Sequence, residues 1–274
     1  MQVIFPILLI VFFVGIIFLL RKKKNILQPD VSVEKKLLQH YVPFYQKLNE
    51  ADKAEFSHRV QLFLSKVRIT GIDTLVEDID RIFVAAGSVI PVFVHKNWEY
   101  SNIEEVLIYP GSFNNNFQLT GEERNILGMV GDGALQNQMI LSQQDLRNGF
   151  LHDYNALNTV IHEFVHLIDK MDGAIDGIPE LLLPQKLIKP WIQIMEKETE
   201  TIKQGQSEIN PYGATKKAEF LSVVSEYYFK LPELLQLNHP ELFSYLDLMY
   251  KGENKKTDIQ KNRLDSIEPE YKTK

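Results

Sequence analysis

The apolar positions of the chain change rhythm several times, and each rhythm predicts an element. Val3 to Leu20 is unbroken, VIFPILLIVFFVGIIFLL; as a helix it would reach about 27 Å, close to a ~30 Å hydrocarbon core. This predicts one transmembrane helix. From Tyr41 the spacing becomes three and four, through Phe44, Leu48, Phe56, Val60, Leu62, Phe63, Leu64 and Val67, the mark of helices that bury one face. Asp73 or Thr74 is placed to cap a further helix running to about Ala86. Ile90 to Val94, Val106 to Tyr109 and Gln138 to Ser142 are short β-rich runs and predict strands, with Gly128 to Gly133 as a turn region. Tyr154 to about Lys170 predicts a helix with Asp153 as its N-cap, and Pro179 to Pro184 breaks the chain before another from about Pro190 to Lys203. Gly205 to Gly213 reads as a loop, Thr215 caps a helix to about Phe229, and Pro232 to Tyr250 supplies a last helical stretch. Runs of helix interrupted by a few strands give an α+β fold class.

These patterns divide the chain into a transmembrane anchor with its basic collar (1–24), a linker (25–40), a folded domain (41–250) and a charged tail (251–274). Arg21-Lys22-Lys23-Lys24 follows the apolar run at once, so the positive-inside rule predicts a single-pass protein with its N-terminus outside and the domain in the cytoplasm. No basic stretch precedes the run and no small-residue cleavage site follows it, which argues against a signal peptide. The formal charge is −6, a balance that offers no footprint for nucleic acid. There is no cysteine, which removes disulfides, thiolate metal sites and thiol nucleophiles from consideration.

The chemistry concentrates in His162-Glu163-Phe164-Val165-His166. Two histidines four residues apart sit about 40° from each other on a helix, so both imidazoles can reach one ion. Glu163 projects to the side, where it can take a proton from a metal-bound water without displacing it. The flanking Val160, Ile161, Phe164, Val165, Leu167 and Ile168 are apolar; polar groups inside such a helix are costly unless paired or metal-bound. This favours a catalytic Zn2+ site over a pair of surface histidines.

Catalytic zinc takes three protein ligands and leaves one position for water. Glu219 and Glu226 both occur in KKAEFLSVVSEYYF, seven residues apart and so on nearly one helix face. About 10.5 Å of helix axis separates them, so one alone can be a direct ligand in a simple site. Asp172, six residues beyond His166, is a different solution, but the turn it requires calls for a glycine where this chain has Asp169.

The chain here resembles the zinc peptidases related to Mlc titration factor A. The resemblance rests on Val160 to Asp169, on Asp172-Gly173 with Gly177-Ile178-Pro179, and on Ala218-Glu219-Phe220 followed by Val223 and Ser225-Glu226-Tyr227, with weaker support from Pro43-Phe44-Tyr45, Leu48-Asn49 and Ile108-Tyr109-Pro110-Gly111. Together these cover about Tyr41 to Tyr250. The resemblance implies a zincin fold similar to the catalytic domain of anthrax lethal factor, zinc bound by His162, His166 and Glu219, Glu163 as catalytic base, and Tyr212 facing the metal. The N-terminal apolar run departs from the better-known members, so their regulatory partner does not carry over.

The expected reaction is peptide-bond hydrolysis in a peptide or protein substrate, with Tyr212 donating to the developing oxyanion. Asp169 or Glu226 is placed to orient a histidine. Gln138 to Ser142 is the strand expected to flank an extended substrate. Two other readings stand beside this one: a membrane-tethered zinc-binding regulatory or interaction protein, against which Glu163 argues, and a zinc hydrolase of non-peptide amides.

Overall fold

A computed structural model of the protein describes residues 29–121, 124–152 and 154–252. The segment read as a linker begins its own helix at once. Asp30 accepts a hydrogen bond from the Ser32 N–H at 2.8 Å and caps α1 (Val31–Tyr41). A short α2 (Pro43–Gln46) leads to α3 (Glu50–Lys66), where the Asn49 side chain accepts from the Asp52 N–H at 2.9 Å. Next comes β1 (Arg68–Gly71), a strand too short and polar to predict from the sequence.

The helix expected to start at Asp73 or Thr74 starts later, as α4 (Asp78–Val89), with the Asp80 carboxylate accepting from the Glu77 N–H at 2.9 Å. The strand expected at Ile90 to Val94 is absent. Ile90–Val92 instead continues α4 as one turn of 3-10 helix and is buried. A short apolar run buried on all sides carries no period to tell strand from helix.

Then follow β2 (Glu105–Tyr109), β3 (Gly128–Val130), β4 (Gln138–Ser142) and α5 (Gln143–Leu151). The four strands form one sheet in the order β1-β2-β4-β3, parallel except for β3, which runs antiparallel to β4 at the edge. Side chains alternate across it. Val106, Ile108, Met139 and Leu141 join the main core, whereas Tyr109 and Ile140 join Phe113 in a small cluster.

α6 (Thr159–Asp169) carries the histidine motif; it begins five residues later than expected and is capped by Asn158, Asp153 lying outside the described residues. α7 (Gln185–Lys203) contains Pro190, and α8 (Lys217–Lys230) follows a 3-10 turn at Pro211–Ala214. The last apolar stretch is two helices, α9 (Pro232–Asn238) and α10 (Pro240–Lys251), because Pro240 cannot continue a helix. The main core joins α6 and α8 to Trp191 of α7, Phe56 of α3 and Phe83 of α4, all fully buried.

The membrane reading needs correction. Among the described residues no helix is long and apolar enough to cross a membrane. The longest, α7, has 19 residues but carries Lys186, Lys189, Glu196, Lys197, Glu198, Glu200 and Lys203, and buries one face only. The run Val3 to Leu20 and the collar behind it lie outside the described residues, so the expectation of a single-pass protein with an outside N-terminus and a cytoplasmic domain finds no support.

Candidate metal centre

α6 is held by its first residues. The Asn158 side chain accepts from the Ile161 N–H at 3.2 Å and donates to the Gly149 carbonyl at 3.1 Å, which fixes the helix against α5. Apolar burial holds the remainder, Val160, Ile161, Phe164, Val165, Leu167 and Ile168 being at most 2% exposed. His162 is 9% and Glu163 5% exposed, so the motif lies inside the protein, open along one cleft.

α8 crosses α6 and brings three polar side chains from one face, at the helical spacing 219, 222 and 226. Glu226 Oε1 meets His162 Nδ1 at 2.7 Å and its Oε2 accepts from the Asn158 N–H at 2.5 Å. A carboxylate can only accept, so His162 Nδ1 carries a proton, and Nε2 is the nitrogen whose lone pair is available to a cation. Ser222 Oγ donates to the His162 carbonyl at 3.2 Å and lies 3.2 Å from His166 Nδ1. With its hydrogen spent on the carbonyl, that hydroxyl accepts from Nδ1 and frees the lone pair of His166 Nε2 as well.

The freed atoms converge. His162 Nε2 and His166 Nε2 are 3.1 Å apart, and Glu219 Oε2 is 3.1 Å from the first and 3.3 Å from the second. Three lone-pair atoms this close repel unless a positive charge sits among them. Zinc with bonds of ~2.0–2.1 Å in tetrahedral geometry sets its ligand atoms about 3.3 Å apart, so the triangle has the size of one face of such a site. His162, His166 and Glu219 are the group that could hold a metal ion among the described residues.

The electrostatics agree. Burial alone lowers the His162 pKa, but Glu226 and Glu219 outweigh it and push it up to about 10, so that without an ion a proton on Nε2 takes the place the ion would fill. Burial likewise raises Glu219, yet the two imidazoles hold it well below the usual carboxylate range. The cluster calls for a cation.

Glu163 faces the cleft beside β3. A Cβ at Gly128 would lie 2.7 Å from Glu163 Oε1 and 2.7 Å from a Thr159 methyl, so a glycine is what lets the edge strand pass this close. Burial raises the Glu163 pKa, opposed by His162 and His166. Tyr212, 51% exposed, lies with its ring centre 6.1 Å from that of His162. Burial of its hydroxyl, together with Glu219, pushes its pKa up to about 12. Gly128, Glu163, His162 and Tyr212 line one cleft of about 460 Å3.

Of the two carboxylates considered for orienting a histidine, Glu226 meets His162, whereas Asp169 Oδ2 accepts from the Gly177 N–H at 2.9 Å. Asp172 accepts from the Ala174 and Glu180 N–H groups and stabilises the loop after α6. Gly177 is a junction: its carbonyl accepts from Trp191 Nε1 at 2.7 Å, its φ is +76°, and a Cβ there would lie 2.3 Å from the Lys217 carbonyl at the start of α8. Sequence reading passed over Ser222 and Gly128. The first shares the spacing of Glu219 and Glu226; the second has no local signal.

The expectation that Gln138 to Ser142 flanks substrate does not hold. β4 is paired on both sides, by β2 and by β3, so its backbone groups are taken. The edge beside Glu163 is β3.

A second histidine–carboxylate cluster occurs further along. His239 Nδ1 is 2.8 Å from Glu198 Oε2 and its Nε2 3.3 Å from Glu208 Oε2, while Glu208 Oε1 accepts from Tyr227 at 2.9 Å and from Asn238 at 2.7 Å.

The family model described as glucose-regulated metallo-peptidase M90 matches residues 19–251. An uncharacterized protein of Synechocystis is 27% identical over 243 residues, covering 84% of this chain and 87% of its own. Mlc titration factor A of Pectobacterium atrosepticum is 26% identical over 247 residues, covering 82% of this chain and 88% of its own, and that of Escherichia fergusonii is 26% identical over 230 residues, covering 78% and 83%. The similarity to Mlc titration factor A relatives stands.

Proposed function

The chain belongs to the glucose-regulated metallo-peptidase M90 family, and from that premise we propose that it is a zinc-dependent peptidase of zincin type. The observation that carries the reading is the meeting of three lone-pair atoms, from His162, His166 and Glu219, beside a buried glutamate on an open cleft. Zinc bound there would lower the pKa of a water toward ~7 and polarise the scissile carbonyl. The mixed sheet with one antiparallel edge strand beside the motif helix supports the zincin comparison.

The remaining steps belong to the chain's own groups. Glu163 takes the proton of the attacking water and passes it to the leaving nitrogen. Tyr212 turns its hydroxyl from Glu219 to the oxyanion as charge develops. Glu226 and Ser222 hold the imidazoles in the tautomers that present Nε2. Substrate lies extended against the free edge of β3, Gly128 to Val130, which presents its carbonyl toward Glu163. A purely structural metal site has no use for a carboxylate where Glu163 stands.

Glu163→Gln tests this. Peptide turnover should fall by about 10²- to 10⁴-fold, the range of general acid–base catalysis, with zinc still bound at one per chain. Equal turnover in the purified variant would remove Glu163 from the mechanism and the peptidase reading with it.

A further inference from the structure

Beside the metal cleft lies a smaller pocket of about 290 Å3, and Leu157, Asn210, Val223 and Glu226 line both. The two spaces therefore share a wall, and one residue of that wall, Glu226, meets His162 Nδ1 at 2.7 Å. Val223 stands four residues past Glu219 on α8, one helical turn or about 6 Å along the axis. An extended chain advances about 3.3 Å per residue. The pocket thus lies within reach of a substrate residue one or two places from the bond that is cut.

The carboxylates in its wall are already engaged. Glu226 holds His162 and the Asn158 N–H, while Glu208 accepts from Tyr227 and Asn238 and meets His239 Nε2 at 3.3 Å. The surface left for a guest is apolar and comes from three elements: Ala156 and Leu157 before α6, Val223 of α8, and Leu231 and Leu234 at the start of α9. Leu157 and Leu234 stay 44% and 42% exposed, area that a guest would remove from water. Sites for whole small molecules run from about 300 Å3 upward. A space of about 290 Å3 that opens on the cleft suits one side chain of a longer substrate.

Resting on the peptidase reading, we infer that this is a specificity pocket: it takes one apolar substrate side chain of leucine or phenylalanine size, within two residues of the bond cut, with Leu157 and Leu234 setting the preference. A cationic side chain is the rival guest, since Glu208 and Glu226 are acidic. Each of those carboxylates already faces an imidazole, which leaves the apolar guest favoured.

The probes are nonapeptides of alanine and glutamine that carry leucine, phenylalanine, arginine or alanine at the centre, offered to the full, metal-loaded protein. With leucine or phenylalanine kcat/KM should be higher by about tenfold or more than with alanine or arginine. The cut should fall within two residues of the leucine and move with it when the leucine is shifted by one place. Leu234→Asp should remove the advantage of leucine over alanine and raise arginine above leucine, whereas a merely structural role for Leu234 would slow all four peptides alike. Binding of the same peptides to zinc-loaded Glu163→Gln, followed by calorimetry, should show the wild-type order. That arm keeps the two readings apart: if no peptide is hydrolysed the peptidase reading fails, while the order of binding still decides the pocket. Equal handling of the leucine and alanine peptides, a preference of the wild type for arginine, or a cut that ignores the position of the leucine would overturn the inference.

Discussion

α8 contributes to two histidine–carboxylate clusters of almost the same composition, and they differ in how many ring nitrogens converge on one carboxylate oxygen. At His239 both nitrogens meet carboxylate oxygens, of Glu198 and Glu208. Carboxylates only accept, so both nitrogens must carry protons and the ring is a cation locked inside its own counter-ions. Its pKa is raised accordingly, first by the hydrogen bond to Glu198. His162 also has a carboxylate oxygen at each nitrogen, Glu226 at Nδ1 and Glu219 at Nε2, but here His166 Nε2 closes on the same Glu219 oxygen at 3.3 Å and on His162 Nε2 at 3.1 Å, so two ring nitrogens and one carboxylate oxygen meet at a single point. A cluster closed on itself stabilises the fold, whereas one whose lone pairs meet at an outside point needs a guest.

The hardest test of this contrast is metal content. His162→Ala combined with His166→Ala should take the purified protein from one zinc per chain to background, while His239→Gln should leave the stoichiometry at one. Zinc retained in the first, or lost in the second, would break the distinction. Each cluster also has a tyrosine on a glutamate, Tyr212 with Glu219 and Tyr227 with Glu208. Tyr212→Phe should slow turnover on the order of 10²-fold, as when one oxyanion donor is removed, and Tyr227→Phe should leave kcat unchanged. Similar rates in the two variants would return Tyr212 to a packing role.

Glu226→Gln sharpens the comparison from within the metal centre. The amide can turn its NH2 to His162 Nδ1 and reverse the tautomer, so zinc affinity should drop by about 10- to 100-fold, read by competition with a chelator. An unchanged affinity would mean that Glu226 does not set the tautomer.

The smallest effect is a pH slope. The folded-state pKa of His239 lies above its ordinary 6.5, so its contribution is fully present below that value and is lost as pH rises through the folded pKa. Glu208, held down to about 2 by Asn238, Tyr227 and His239 against the cost of burial, contributes above pH ~4.5 and loses that contribution as pH falls toward 2. Urea titrations should therefore find metal-loaded wild type more stable than His239→Gln near pH 6, with the gap closing at alkaline pH. A gap that widens with pH would mean the ring is buried neutral.

What was legible in the sequence follows from how local each cause is. The histidine pair and Glu163 could be placed because a four-residue helical repeat fixes their geometry without the rest of the chain. Glu219 and Glu226 could not be ranked by spacing, since both stand on one face; the structure separates them by giving one to Nε2 and the other to Nδ1. α5 was missed although Ser142 and Asp145 bond to each other three residues apart at its start, a cap hidden because Ser142 also ends β4. Gly128 had no local signal, because its reason is the Glu163 side chain on a distant helix. The placing of substrate on Gln138 to Ser142 failed for a similar cause: the run reads as a strand, but whether a strand is an edge depends on neighbours that sequence does not order.

Gly177 has a consequence for how such a chain can diverge. It ties the end of α6, through Asp169, to the first turn of α8 and to Trp191. The offset between the histidines and Glu219 is thus fixed by a contact a few residues past the motif, not by the long stretch that follows. Insertions in the exposed turn from Lys203 to Gln206 can accumulate over generations while the three donors keep their spacing. A single methyl group at position 177 would be felt at the metal before any of them.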